Sequence, residues 1–290
     1  MPTSVTLTSP SLSVRIAQTG AEIKSIQEKS TGIEYMWQSD PAYWTGAAPI
    51  LFPIIGGLKN GKYTFNGKDY SMPSHGLVRK ADWALVNSGS TSASFEIASS
   101  AETREMYPFD YALRAHFTLS DNILSVRYEV SNTGNGTMYF SIGSHPAFNI
   151  PFAGGHLEHY YYHFSESETI ERNFFGGGLT LNRTAPVFDN SRQIFITRKL
   201  FEQAAIILKN PASKEVSIRN SRNNKQIKVT TDGMPFLGLW GPPGVQFACI
   251  EPWYGVPDNE ATDGEFTTKE GIMSLAANGT YETTYRIEIV

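Results

Sequence analysis

Apolar and polar positions alternate every second residue over much of the chain. Leu12, Val14 and Ile16 alternate with polar neighbours. Leu113, Ala115, Phe117 and Leu119 do so with Arg114, His116 and Thr118, and Leu124, Val126, Tyr128 and Val130 with Ser125, Arg127 and Glu129. Tyr285, Ile287 and Ile289 repeat the pattern near the end. Successive side chains of an extended chain point to opposite faces, so each segment predicts a strand with one buried and one wet face. The pairs Asn60-Gly61, Asn66-Gly67, Asp121-Asn122, Asn135-Gly136, Asp232-Gly233 and Asn278-Gly279 punctuate the pattern. They tolerate positive φ and suit tight hairpins. Residues 101–107 and 199–209 suit one or two helical turns each. There are no heptads, no internal repeat and no Ser/Pro/Gly-rich linker. The pattern predicts an all-β fold: one domain over residues 1–290, a large antiparallel β-sandwich with few short helices. Functional loops are expected at one rim or on a concave face.

Composition narrows the function classes. Of 290 residues 40% are hydrophobic, enough for a sizeable core. The net charge of −4 gives no global field for nucleic acid or an anionic membrane. A single cysteine, Cys249, allows no internal disulfide and no cysteine-based metal cage. The longest apolar run, residues 47–55, holds two prolines and falls short of the roughly 20 residues of a membrane helix. The N-terminal segment lacks a basic n-region and an apolar h-region. These features predict a cytoplasmic protein, a monomer or homodimer, with no nucleic-acid or membrane partner.

Three segments carry candidate chemistry. The first is Met72-Pro73-Ser74-His75-Gly76-Leu77-Val78-Arg79, downstream of Pro49-Ile50-Leu51-Phe52-Pro53-Ile54-Ile55-Gly56. Gly76 lets backbone approach a ligand, and Arg79 offers a planar set of donors. The second is Ser144-His145-Pro146-Ala147-Phe148-Asn149, where Pro146 pins a histidine suited to proton transfer near neutral pH. The bland alternatives are a core segment with a polar loop, and a hydrogen-bonded core histidine. The third is Phe247-Ala248-Cys249-Ile250-Glu251-Pro252-Trp253-Tyr254-Gly255. Glu251 interrupts a buried strand, where a carboxylate is costly unless paired, hydrogen-bonded or in a cleft. Burial raises its pKa and suits it to act as a general base. Trp253 and Tyr254 suit the apolar faces of a sugar ring. A structural ion pair is the alternative.

Weaker signals are set against simpler explanations. His156, His159 and His163 have metal-like spacing, but a solvated loop explains them better. Asp258, Glu260, Asp263 and Glu265 lack the pattern of a calcium loop and read as a solvated surface. Lys209, Lys214, Arg219, Arg222, Lys225 and Lys228 form a basic segment, read as a solvated hairpin rather than a phosphate site. Cys249 reads as an inert core thiol. Serine-hydrolase, P-loop, dinucleotide and zincin motifs are missing.

In series, the run 49–56, His75-Gly76-x-x-Arg79, His145-Pro146-Ala147-Phe148-Asn149 and Glu251-Pro252-Trp253-x-Gly255 with Asp258 resemble the aldose 1-epimerase (galactose mutarotase) family. The likeness is strongest to its shorter bacterial branch, which shares the HGxxR element with hexose-phosphate 1-epimerases. The resemblance implies a galactose mutarotase-like supersandwich with an open sugar cleft and no cofactor. It implies that Glu251 is the general base on the anomeric hydroxyl and His145 the general acid on the ring oxygen. It implies sugar contacts from His75, Arg79 and Asn149, with Trp253 and Lys59 as further binding positions and no metal. Two departures bear on the sugar. Lys59 stands where the galactose mutarotases carry an arginine. Ala204 falls where they carry an aspartate, unless Glu202 replaces it. The leading expectation is therefore an isomerase acting on a free hexose. The alternatives are a hexose-6-phosphate 1-epimerase and a non-catalytic carbohydrate-binding protein. A glycosidase normally needs two carboxylates in one cleft, and one stands out here.

Overall fold

The computed structural model describes residues 4–290 apart from Arg198, Gln203, Asp232, Pro243 and Val245. In chain order the first strands are β1 (Ser4–Thr8), β2 (Leu12–Ala17), β3 (Glu22–Glu28), β4 (Ile50–Leu51), β5 (Lys62–Phe65), β6 (Lys68–Ser71), β7 (Ala84–Ser88) and β8 (Ser92–Ala98). After helix α1 (Ala101–Met106) come β9 (Tyr111–Ser120), β10 (Ile123–Asn132), β11 (Met138–Phe140), β12 (Ile142–Ser144) and β13 (Ala147–Asn149). Then follow β14 (Tyr160–Gly176), β15 (Leu179–Phe195), β16 (Ile206–Lys209), β17 (Glu215–Asn220), β18 (Gln226–Thr231) and β19 (Phe236–Trp240). The last are β20 (Phe247–Tyr254), β21 (Met273–Leu275) and β22 (Thr280–Ile289).

Among the described residues two antiparallel sheets dominate. One has nine strands in the order β15-β14-β17-β18-β22-β10-β9-β8-β7. The other runs β16-β19-β20-β12-β4, with β13 also pairing to β20. Leu113, Val126 and Tyr285 from the larger sheet share a core with Leu239, Ala248 and Ile250 from the smaller. The outer face of the larger sheet is wet: Arg114 bonds Glu96 and Glu129, and Arg127 bonds Glu282. That division produces the period of two. β20 is different, because both of its faces are covered. Ala248 and Ile250 enter the main core, while Phe247, Cys249 and Trp253 enter two smaller clusters on the opposite face. A strand buried on both sides reads as a continuous apolar run, and this one carries Glu251 on its outer face.

The local expectations fare unevenly. Asn66-Gly67 joins β5 to β6, with φ of 50° and 73°. Asp121-Asn122 joins β9 to β10, with Asp121 at φ 48°. Asn60-Gly61 closes a short 3-10 turn, and Asn135-Gly136 and Asn278-Gly279 lie in connections between sheets. Asp232 of the Asp232-Gly233 pair lies outside the described residues. Helix α1 forms where expected, with Ser100 and Thr103 capping it reciprocally. The expected helix at 199–209 does not form. Ile206, Ile207 and Leu208 instead form the buried edge strand β16, hydrogen-bonded to β19. A short apolar run carries no period of its own, and the neighbouring strand decides its state.

Candidate active site

His145 and Glu251 are brought together by a break in strand pairing. β12 and β13 both pair with β20, through Ile142–Tyr254 on one side and Ala147–Cys249 on the other. Pro146 has no N–H to donate to the ladder, and its carbonyl accepts from Ile250 N at 3.4 Å. His145 therefore leaves the strand opposite Glu251. Its own N–H donates to the Pro49 carbonyl at 3.1 Å. The 49–56 run also holds the other histidine, because Gly56 O accepts from His75 N and Phe52 O accepts from Leu77 N.

The histidine Nε2 lies 3.2 Å from Glu251 Oε2. Among the described residues Glu251 Oε2 has no hydrogen-bond partner, and neither does His145 Nδ1. Glu251 is 1% exposed and His145 8%. Burial pushes the Glu251 carboxyl well up. Burial pushes His145 well down, helped by the neighbouring His75 and Arg79. Both directions favour the form in which Glu251 rather than His145 holds the proton of the pair. Both groups are neutral when Glu251 holds that proton, and they form an ion pair when His145 holds it.

Around the pair lies a cleft of about 270 Å³. Trp44, Trp240, Trp253 and Phe175 supply its aromatic lining, and His75, Gly57 and Ala204 its other sides. Trp44 lies 4.9 Å from the His145 ring at 35°. Trp253 fits because it faces Gly143 and Gly238, where a Cβ would come within 2.7 Å and 2.6 Å of the indole. Phe175 reaches the cleft from the tip of the β14–β15 hairpin and packs against the small cluster that contains Trp253. His75 Nδ1 accepts from Gly56 N–H at 3.2 Å, which leaves its proton on Nε2. Burial, and secondarily the Arg79 charge, lower its pKa to about 4. It is a neutral hydrogen-bonding group here, not a proton source. Gly76 is needed for a reason other than ligand approach: a Cβ there would stand 2.0 Å from the Phe52 carbonyl oxygen.

The Aldose 1-epimerase family model matches residues 3–274. The chain belongs to the aldose 1-epimerase family. Protein LacX, chromosomal, of Lactococcus lactis subsp. lactis is 32% identical over 290 residues, covering 96% of this chain and 97% of that protein. The structure of a galactose mutarotase related enzyme from Lactobacillus acidophilus matches with a TM-score of 0.94 at 32% identity, covering 99% of this chain and 97% of that one. An Escherichia coli K12 protein described as a candidate glucose-6-phosphate 1-epimerase is 26% identical over 105 residues, 34% of this chain and 33% of that protein.

Several residues expected to touch sugar are engaged elsewhere in this family member. Asn149 Nδ2 donates to the carbonyls of Glu34 and Met36 at 3.0 Å and 2.8 Å, stapling a neighbouring segment. Lys59 Nζ donates to Thr262 O at 3.0 Å. Tyr254 points to the opposite face of β20 from Trp253, with its ring 5.6 Å from Tyr281. Asp258 does not belong to a solvated surface: it is buried, paired with Lys269 at 2.7 Å and bonded by Lys59 N. Ala204 lines the cleft, whereas Glu202 is exposed and is not among the described lining residues. The basic segment is partly neutralised, with Lys209, Lys225 and Lys228 paired to Glu270, Glu28 and Glu288. Arg79 has no carboxylate partner among the described residues. His156 and His159 neighbour each other, but with His163 they form no ligand set. Among the described residues the one group with metal-ligand geometry is His145, Cys249 and Glu251. Trp44, Trp240 and Phe175 were not singled out in the sequence. Trp44 in a polar loop and Trp240 before Gly241-Pro242 were the available signals.

Proposed function

We propose that the protein interconverts the α and β anomers of a hexose, with Glu251 as general base and His145 as general acid. The observation that carries this reading is the buried, mutually close and otherwise unpartnered His145–Glu251 pair in an aromatic-lined cleft. In the ion-pair form Glu251 takes the proton of the anomeric hydroxyl while His145 gives its proton to the ring oxygen. The C1–O5 bond breaks, and the open aldehyde is left beside a neutral acid and a neutral imidazole. That is the protonation state burial favours, so the site steadies the step at which charge would otherwise develop. Rotation about C1–C2 and the reverse transfers close the other anomer, and no net proton is lost. The indole faces suit the apolar faces of one sugar ring, and about 270 Å³ lies just below the roughly 300–1,000 Å³ of drug-sized pockets.

The test follows freshly dissolved α-galactose, α-glucose and α-glucose 6-phosphate by polarimetry or proton NMR. Wild type should speed anomer conversion of a free hexose above the uncatalysed background, and Glu251→Gln should not. No acceleration of any of the three would abandon the reading in favour of a sugar-binding protein. A second reading, a hexose-phosphate 1-epimerase, is favoured by Arg79, whose guanidinium pairs with no carboxylate among the described residues and stands close enough to His75 to depress its pKa. A rate on glucose 6-phosphate no higher than on glucose would discard it.

A further inference from the structure

Cys249 is the buried group that epimerase chemistry leaves unused. It stands two positions before Glu251 on β20, so both side chains leave the strand on the same face. His145 meets them from the break between β12 and β13. The thiol sulfur, an imidazole nitrogen and a carboxylate oxygen all lie within 4.8 Å of one another, and all three residues are buried. Thiolate, imidazole and carboxylate are the donor types that hold Zn²⁺.

The His145–Glu251 spacing is compatible with such a site. In a tetrahedral zinc site with Zn–N and Zn–O bonds of about 2.0–2.2 Å, the two ligand atoms stand roughly 3.3–3.5 Å apart. His145 Nε2 and Glu251 Oε2 are 3.2 Å apart. One thiolate and one carboxylate would offset the two positive charges, so the loaded site adds no net charge to a poorly solvated cleft. The sulfur also sets the selectivity, since Mg²⁺ and Ca²⁺ prefer oxygen ligands.

We propose that His145, Cys249 and Glu251 bind a thiophilic divalent cation of the Zn²⁺ class, with its fourth position open to the cleft. Binding displaces two protons to solvent, the thiol proton and the one proton held by the His145–Glu251 pair, whichever of the two residues carries it. An occupied site blocks anomer conversion, because the metal takes the lone pairs that acid/base transfer requires. The binding itself does not depend on the epimerase reading; the inhibition does.

Metal-free protein titrated with Co²⁺ tests the site directly. The expected result is one equivalent bound with a near-ultraviolet thiolate-to-cobalt charge-transfer band, displaced by Zn²⁺ but not by Mg²⁺. Cys249→Ser should lose the band, and Glu251→Gln should weaken the affinity at least tenfold. Binding without a thiolate band, equal affinity in Cys249→Ser, or no saturable binding up to millimolar Co²⁺ would overturn the proposal. The wild-type spectrum decides the matter even if the serine variant folds poorly. Where anomer conversion is measurable, Zn²⁺ should inhibit wild type and leave Cys249→Ser near its own metal-free rate, with chelator restoring wild type. A protein inactive on every sugar would still give a clear cobalt titration, so the two readings fail separately.

Discussion

Glu251 and Asp258 are buried carboxylates on one stretch of chain, and the fold treats them in opposite ways. Asp258 is fully served: Lys269 Nζ donates to Oδ1 at 2.7 Å, and Lys59 N–H donates to Oδ2 at 2.9 Å. Lys269 also donates to the Val256 carbonyl at 2.7 Å, and both partners are 4% exposed at the side chain. Glu251 has His145 nearby but no hydrogen bond on Oε2. A buried polar atom left without a partner costs about 1–3 kcal/mol. On the proposed function, a chain that satisfies one carboxylate so fully and leaves the other open gives up stability where the chemistry needs a free lone pair, and the contrast separates a group that builds the cleft from one that would work in it.

Replacing the two groups should therefore damage different properties. Glu251→Gln should lower kcat/KM for anomer conversion by about 10²–10⁴-fold, the usual worth of a positioned general base. It should leave the thermal midpoint nearly unchanged, because a neutral amide replaces a carboxyl that burial already favours in its neutral form. A destabilised Glu251→Gln with near-normal turnover would reverse the assignment. Lys269→Met strands a buried carboxylate, so it should cost about 3–5 kcal/mol of stability in denaturant unfolding. Adding Asp258→Asn should recover part of that loss, whereas no second change should restore Glu251→Gln.

The same contrast predicts the pH profile. Burial raises Glu251 and lowers His145. As pH falls through the lowered histidine value, the pair gains a second proton and the base is lost. As pH rises through the raised carboxyl value, the pair loses its last proton and the acid is lost. The kcat/KM profile should be a bell whose acid limb lies below the ordinary histidine value of about 6.5 and whose alkaline limb lies above the ordinary carboxylate value of about 4.3. His75, lowered to about 4, should contribute no limb near neutrality. An acid limb at or above an unperturbed histidine pKa would remove the argument from burial.

How much of this was legible beforehand depended on whether a residue belonged to a pattern. The strands β2, β9, β10 and β22 are visible because each has one wet face, which prints a period of two. Glu251 stands out because a carboxylate breaks an apolar run. The cleft walls had no such signal. Trp44 comes from a loop, Trp240 from a strand end and Phe175 from a hairpin tip, and they meet only through tertiary structure. Gly76 was legible as a close approach but not as an approach of backbone to backbone. Asn149 and Lys59 sit in family-like motifs, yet their side-chain nitrogens donate to backbone carbonyls of residues that do not line the cleft.

The hairpin tip gives a smaller effect than the acid/base pair. Phe175 touches the cleft without a polar group, so Phe175→Ala removes apolar contact and not chemistry. We expect KM to rise several-fold with kcat nearly unchanged. A comparable fall in kcat would mean that the tip also orders the His145–Glu251 pair.

The smallest effect belongs to Lys59, and it isolates a backbone contribution from a side-chain one. Lys59 acts on the cleft through its N–H, which holds Asp258 Oδ2 at 2.9 Å. Every residue except proline supplies that donor. Lys59→Met should therefore leave KM within about twofold and stability within about 0.5 kcal/mol, the range of ordinary surface changes. Compared with Lys59→Met, Lys59→Pro additionally removes the backbone donor, since proline is otherwise accepted at the first position of a helical turn. It should cost about 1–3 kcal/mol by unpairing a buried charged acceptor. It should also raise KM, because Gly57, which lines the cleft, is held to the same anchor: Asp258 N donates to the Gly57 carbonyl at 3.0 Å. A large KM increase in Lys59→Met alone would return the ammonium group to the sugar.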